Sequence, residues 1–218
     1  DEDGRLLGRI TFDDVIDVIE AETTEDILRF GGVSEAEEVR GGWQDAVRSR
    51  LPWLLVNLVT ASTAAAVVMY FDETIARLTL LAALMPVIAG TGGNTGTQAL
   101  AVTIRRLAVS RESVARRWSV VGKALVVGSI NGLIIGTVAG VVTLLLALVL
   151  GETLVLAPVV MMAMWFNLSV AGFAGAFVPT VLERLGVDPA VASSIFVTGF
   201  TDMIGFFLLL GLASWMLV

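Results

Sequence analysis

Apolar and polar positions fall into long blocks along this chain rather than alternating. Five stretches are long enough to cross a bilayer, which takes about 20 mainly apolar residues. They run from Leu51 to Phe71, closed by Asp72-Glu73; from about Leu78 to Ile104, closed by Arg105-Arg106; from about Val120 to Leu150, closed by Gly151-Glu152; from Leu154 to Leu182, closed by Glu183-Arg184; and from about Pro189 to Val218. The pattern predicts an all-α membrane protein with five transmembrane helices. Ahead of them, residues 34–50 predict an amphipathic interfacial helix. Ser34 would cap it, Glu35, Glu37 and Glu38 would meet its dipole, and Trp43, Val47 and Leu51 recur every four residues, with Gly41-Gly42 as a weak point. Residues 1–33 predict a fragment with a short strand, Leu6 to Ile10, and a helix capped by Thr11, too small for a core of its own.

Composition supports the membrane reading. Hydrophobic residues make up 56% of the 218 and the mean hydropathy is +0.85, above the range of ordinary soluble domains. The net charge of -7 is uneven: residues 1–50 hold two thirds of the acids but fewer than half of the basic residues. Basic residues are too few and too dispersed for nucleic-acid binding. With no Cys and no His, the chain has neither disulfides nor the commonest proton shuttle and metal ligands. The first residues lack a basic n-region, so they predict a cut through a longer protein and not a signal peptide.

Lys and Arg set the orientation. Arg105, Arg106, Arg111, Arg116 and Arg117, with Lys123 just beyond, cluster after the second stretch, and Arg48 and Arg50 precede the first. The opposite loops hold only Arg77. The positive-inside rule predicts a cytoplasmic N-terminus and an outer C-terminus in a multi-pass inner (plasma) membrane protein.

Within this frame, Asp202 stands out. An ionisable group at membrane depth costs about 3 kcal/mol on insertion scales, so it is kept there for a function more often than for packing. No Lys, Arg or His lies inside a stretch to neutralise it, which favours a bare cation as its partner. Thr198, Thr201 and Gly205 keep the same stripe small and polar. The second stretch carries Pro86 and then Gly90-Thr91-Gly92-Gly93-Asn94-Thr95-Gly96-Thr97-Gln98. This run predicts an interrupted helix, its freed carbonyls, Asn94 and Gln98 supplying oxygens beside water; the competing reading is a Gly-rich packing face. Gly128, Gly132, Gly136 and Gly140 predict close helix packing with no chemistry. Asp188-Pro189 predicts a capped helix start, its carboxylate near the entrance of the helix bearing Asp202. The acids from Asp13 to Asp26 predict either a solvated face or a divalent-cation sensor. An enzyme is disfavoured, since no His, Cys or clustered intramembrane acid is present. A proton- or Na⁺-coupled secondary transporter using Asp202 is the alternative to a cation channel.

Four features together resemble the MgtE family of magnesium channels: the Pro86–Gln98 run with its Gly-Gly-Asn-x-Gly-x-Gln core, Val187-Asp188-Pro189-Ala190, Thr201-Asp202-Met203-Ile204-Gly205, and Asp13-Asp14-Val15 through Glu22-Thr23-Thr24-Glu25-Asp26, similar to the end of a CBS domain. The resemblance implies a homodimer in the lipid bilayer, with a central pore built by stretches two and five of both subunits. It implies Mg²⁺ as both transported and regulatory ion, bound at Asp202 and Asp188 and, in the cytosolic sensor, at Asp14, Asp17, Glu22, Glu25 and Asp26. Pore-lining positions would be Gly90, Gly92, Gly93, Asn94, Gln98, Ser194, Thr198 and Thr201. Residues 1–33 would end a CBS domain, 34–50 would form a plug helix, and 51–218 would form the pore domain. ATP binds the CBS pair in some full-length members, but too little of that site is present here to support it. Ser194-Ile195 stands where some relatives have Asn-Pro.

Overall fold

The computed structural model describes residues 5, 8–33, 42–109, 114–186, 189 and 194–217. Seven α-helices and no strand occur among them: α1 (Phe12–Phe30), α2 (Trp43–Tyr70), α3 (Asp72–Arg77), α4 (Leu80–Val109), α5 (Val114–Leu150), α6 (Leu156–Arg184) and α7 (Ser194–Leu217). Four helices are long and apolar enough to cross a membrane: Trp43–Tyr70, Trp118–Leu150, Leu156–Arg184 and Ser194–Leu217. The 30-residue α4 is not among them. Its centre is the Gly, Thr, Asn and Gln run, which dilutes its hydropathy.

Three expectations change. Gly8 to Ile10 is irregular backbone, not strand, and Leu6-Leu7 lies outside the described residues. The expected 34–50 helix is described only from Trp43, where Gly42 caps it, and it continues unbroken through Pro52 into the first span. Its Ser34 cap lies outside the described residues. The second stretch is not interrupted: α4 is helical through Pro86 and every glycine to Gly96. One proline removes one backbone donor. Neighbouring helices press on Gly92, Gly93 and Gly96, which holds that part of the helix in place.

Helix α6 is the centre of the bundle. It carries the longest run of buried residues and packs against α5, α4 and α7. The core joins Leu81, Leu84 and Ile88 of α4 to Val160, Ala163, Met164 and Leu168 of α6 and Leu209, Leu210 and Ala213 of α7. The α5–α6 contact bears out the glycine prediction. A Cβ at Gly128 would lie 2.5 Å from the Leu168 carbonyl oxygen, one at Gly132 2.7 Å from that of Trp165, and one at Gly136 2.7 Å from that of Met161. In lipid, where no hydrophobic effect drives helices together, such backbone proximity is how they gain dispersion energy. Helix α2 lies on α7, with Thr60 against Gly199 and Trp53 edge-on to Phe196, ring centroids 6.4 Å apart.

The outer faces of α2 and α5 are apolar and uncovered: Leu54, Leu58, Val59, Ile130, Leu133 and Ile134 are all more than half exposed. That surface suits lipid or a partner subunit, not water. One end of the bundle is basic and aromatic. There Arg184 stacks 4.8 Å over the Trp118 ring, and the end of α1 meets the helices, Phe30 packing beside Leu100, Ile104 and Val197.

Candidate cation site

Asp202 lies about a third of the way along α7 and is half-buried. Residues three and four positions away share its helix face, and each touches a different neighbour. Thr198 meets Gly93 of α4, Gly199 meets Thr60 of α2, and Gly205 meets Asn167 of α6 and Ile88 of α4. The carboxylate therefore sits on the side of α7 turned to the α2–α4 crevice. Among the described residues no Lys or Arg pairs with it; the ion pairs Glu25–Arg29 and Glu73–Arg77 lie elsewhere, on α1 and α3.

The polar stripe around Asp202 points partly inward. Thr201 is fully buried and its hydroxyl donates to the Thr198 carbonyl at 2.9 Å. The Thr198 hydroxyl donates to the Ser194 carbonyl at 2.8 Å. Ser194 in turn donates to the Phe30 carbonyl at 3.3 Å, tying the start of α7 to the end of α1. These hydroxyls satisfy helix backbone and a helix-end contact, which leaves Asp202 as the ionisable group of the stripe.

The α4 positions separate into faces. Gly92 and Gly93 are buried, Gly92 against Asn167 and Gly93 against Thr198, so both serve packing within the chain. Gly90 and Asn94 are exposed on an adjoining stripe, with nothing within 4 Å of a Cβ at Gly90. Gln98 is exposed too, but it lines a groove towards α5.

Asn167 was not anticipated from sequence. It is fully buried, and its Nδ2 donates to the Ile88 carbonyl of α4 at 3.1 Å, while its Oδ1 has no partner. The amide is wedged between Gly92 and Gly205. The signal was available: a lone amide in Met164-Trp165-Phe166-Asn167-Leu168, where an unpaired polar group is costly.

The acids of α1 do not converge. Asp14 closes a capping box with Thr11, accepting from its backbone N–H and its hydroxyl at 2.7 Å each. Those bonds hold the Asp14 carboxyl below the usual carboxylate range. Glu25 pairs with Arg29. Asp17, Glu20 and Glu25 line one shallow surface depression, and no group of three or more acids among the described residues is arranged to hold a metal. Asp188 lies outside the described residues.

Sequence comparison with known proteins matches this chain to a family. The family model for MgtE, described as a divalent cation transporter, covers residues 85–212, from just before Pro86 to beyond Asp202. The chain is 37% identical over 222 residues to the magnesium transporter MgtE of Thermus thermophilus, covering 100% of this chain and 48% of that protein. It is 36% identical over 214 residues to the magnesium transporter MgtE of Enterococcus faecalis, covering 98% of this chain and 46% of that protein. The Bacillus subtilis magnesium transporter MgtE is 30% identical over 214 residues. The chain spans about half the length of the curated relatives it matches. With a multi-helix membrane architecture and a family match that includes both the α4 glycine run and Asp202, the chain belongs to the MgtE family of divalent cation transporters.

Proposed function

We propose that this chain forms the membrane portion of a Mg²⁺ channel that admits hydrated Mg²⁺ to the cytoplasm down its electrochemical gradient. The observation that carries the reading is Asp202: a half-buried carboxylate in an apolar helix, with no cationic side chain paired to it among the described residues. Mg²⁺ sheds water reluctantly and is usually held by one or two carboxylates plus retained waters. A two-fold pair of chains would bring two copies of Asp202 to one axis and meet that requirement. The exposed Gly90 and Asn94 stripe of α4 supports such pairing, since a polar helix face inside a bilayer calls for protein or water against it. In that dimer Asp202 would carry the charge, and the Asn94 amide would hydrogen-bond the ion's water shell. Helix α4 would be the fifth span, tolerated despite its polar centre because it lines the path. An inward potential supplies about 4.6 kcal/mol per 100 mV for a double charge, so no nucleotide hydrolysis is required.

Regulation belongs to the same proposal. The α1 end contacts the start of α7 through Phe30 and Ser194. Charge changes on Asp17, Glu22, Glu25 and Asp26, when cytosolic Mg²⁺ bridges them to acids elsewhere in the full-length protein, would reach the pore through that contact. Asp188 would attract cations at the entrance.

A secondary transporter that uses Asp202 as a proton or Na⁺ site is the competing reading. Reconstituting the full-length protein in liposomes separates the two. A channel gives Mg²⁺ influx that follows an imposed inside-negative potential and ignores a pH or Na⁺ gradient; influx that tracks either gradient at zero potential would reject it.

A further inference from the structure

A groove of about 340 Å³ between α4, α5 and α6 lies outside the cation site. Its rim at the basic end of the bundle carries Lys123 and Arg106, and its walls include Val102, Val127 and Ala124. Deeper in, Gln98 and Asn131 face it from α4 and α5. Lys123 and both amides are exposed, and none of the three has a hydrogen bond or ion pair within the chain among the described residues. An amide at the hydrocarbon boundary left without a partner is unfavourable.

We propose that this groove binds one anionic phospholipid, phosphatidylglycerol or cardiolipin in type, with its phosphate at Lys123 beside Arg106. The glycerol backbone then lies over Val102 and Val127, one helical turn in from the two cations, the ester carbonyls accept hydrogen bonds from the amides of Gln98 and Asn131, two turns in, and the acyl chains leave the groove past Thr95. The order of groups along α4 and α5 fits a lipid lying along the bilayer normal: cations at the rim, two valines one turn below them, and amide donors one turn below those. Basic pockets between transmembrane helices recognise anionic head groups by this arrangement. A second protein chain seated there would have to match a lysine at the rim and two amides below it, whereas a lipid supplies the phosphate and both carbonyls in one molecule. Because the groove flanks α4 on the side of Gln98, away from the Gly93 face that meets α7, lipid occupancy would brace α4 from outside the proposed ion path. The inference stands whether or not the ion carried is Mg²⁺.

The test is native mass spectrometry of the full-length protein in detergent, titrated separately with phosphatidylglycerol and phosphatidylethanolamine. The expected result is preferential retention of phosphatidylglycerol, reduced about fivefold by Lys123→Gln, the effect of one basic residue near an anionic head group. Val127→Trp, which fills the groove without changing charge, reduces it as well. Arg77→Gln, at the opposite end of the bundle, leaves it unchanged and reports that the fold is intact. Equal retention of the two lipids, or phosphatidylglycerol retention unaffected by both Lys123→Gln and Val127→Trp, overturns the proposal. So does efficient cross-linking of Val127→Cys between two copies in lipid nanodiscs, which would put a second subunit in the groove.

Discussion

The Nδ2 of Asn167 on α6 donates to the Ile88 carbonyl of α4 across 3.1 Å, in a site with no solvent exposure. The same amide fills the gap between Gly92 and Gly205, so one side chain sets the spacing of three helices. A Cβ at Gly205 would come within 2.8 Å of Nδ2 and 3.0 Å of Ile88 Cγ2.

Asn167→Ala should therefore cost only about 1 kcal/mol, because interhelical hydrogen bonds in membranes are worth little net and an unpaired Oδ1 disappears with the donor. Gly205→Ala should cost more on its own, and clearly less in the Asn167→Ala background, where the nearest obstacle is gone. Thermal unfolding of the four proteins in detergent gives the coupling directly. Additive effects would contradict the wedge.

The α5–α6 contact offers a sharper contrast. Gly132→Leu should lower the melting temperature substantially, since even a Cβ would lie 2.7 Å from the Trp165 carbonyl oxygen and 3.1 Å from its Cα. Overpacking of this kind costs about 1–3 kcal/mol or more. Gly122→Leu, on the same helix with nothing within 4 Å of a Cβ, should be neutral. Both are measured by the same melts.

Acid should loosen the start of α1. Asp14 accepts two hydrogen bonds from Thr11, and its folded carboxyl is held below the ordinary value of 3.8. A carboxyl with a depressed folded pKa contributes stability that is complete above its unfolded value and is lost as pH falls through the folded one. Amide-exchange protection in the first turn of α1 should hold at pH 5 and drop below pH 3.8. In Asp14→Asn the first turn should lose that pH dependence.

Much of this fold was legible in the chain because membrane spans are written in long apolar blocks. The four-residue glycine repeat of α5 named its own packing face, and Asp202 stood out by cost alone. What could not be read was which neighbour each α4 residue meets. Pro86 and the glycines suggested broken backbone, yet Gly92 and Gly93 are pressed against Asn167 and Thr198 and the helix stays whole. Gln98 sits one turn beyond Asn94 but faces the α5 groove, because neighbours on a helix diverge by about 40° per four residues and a helix boundary falls between them. Asn167 went unnoticed for a related reason: its role depends on two glycines distant in sequence.

The central claim is that Asp202 is the ion's ligand. Mg²⁺ influx into liposomes holding the full-length protein, compared between wild type and Asp202→Ala, tests it most directly, with size-exclusion profile and melting temperature as checks on folding. The account predicts a loss of Mg²⁺ flux of tenfold or more, or loss of selectivity for Mg²⁺ over monovalent ions, in a protein that assembles and melts as wild type does. Unchanged Mg²⁺ flux with unchanged selectivity in Asp202→Ala would contradict it.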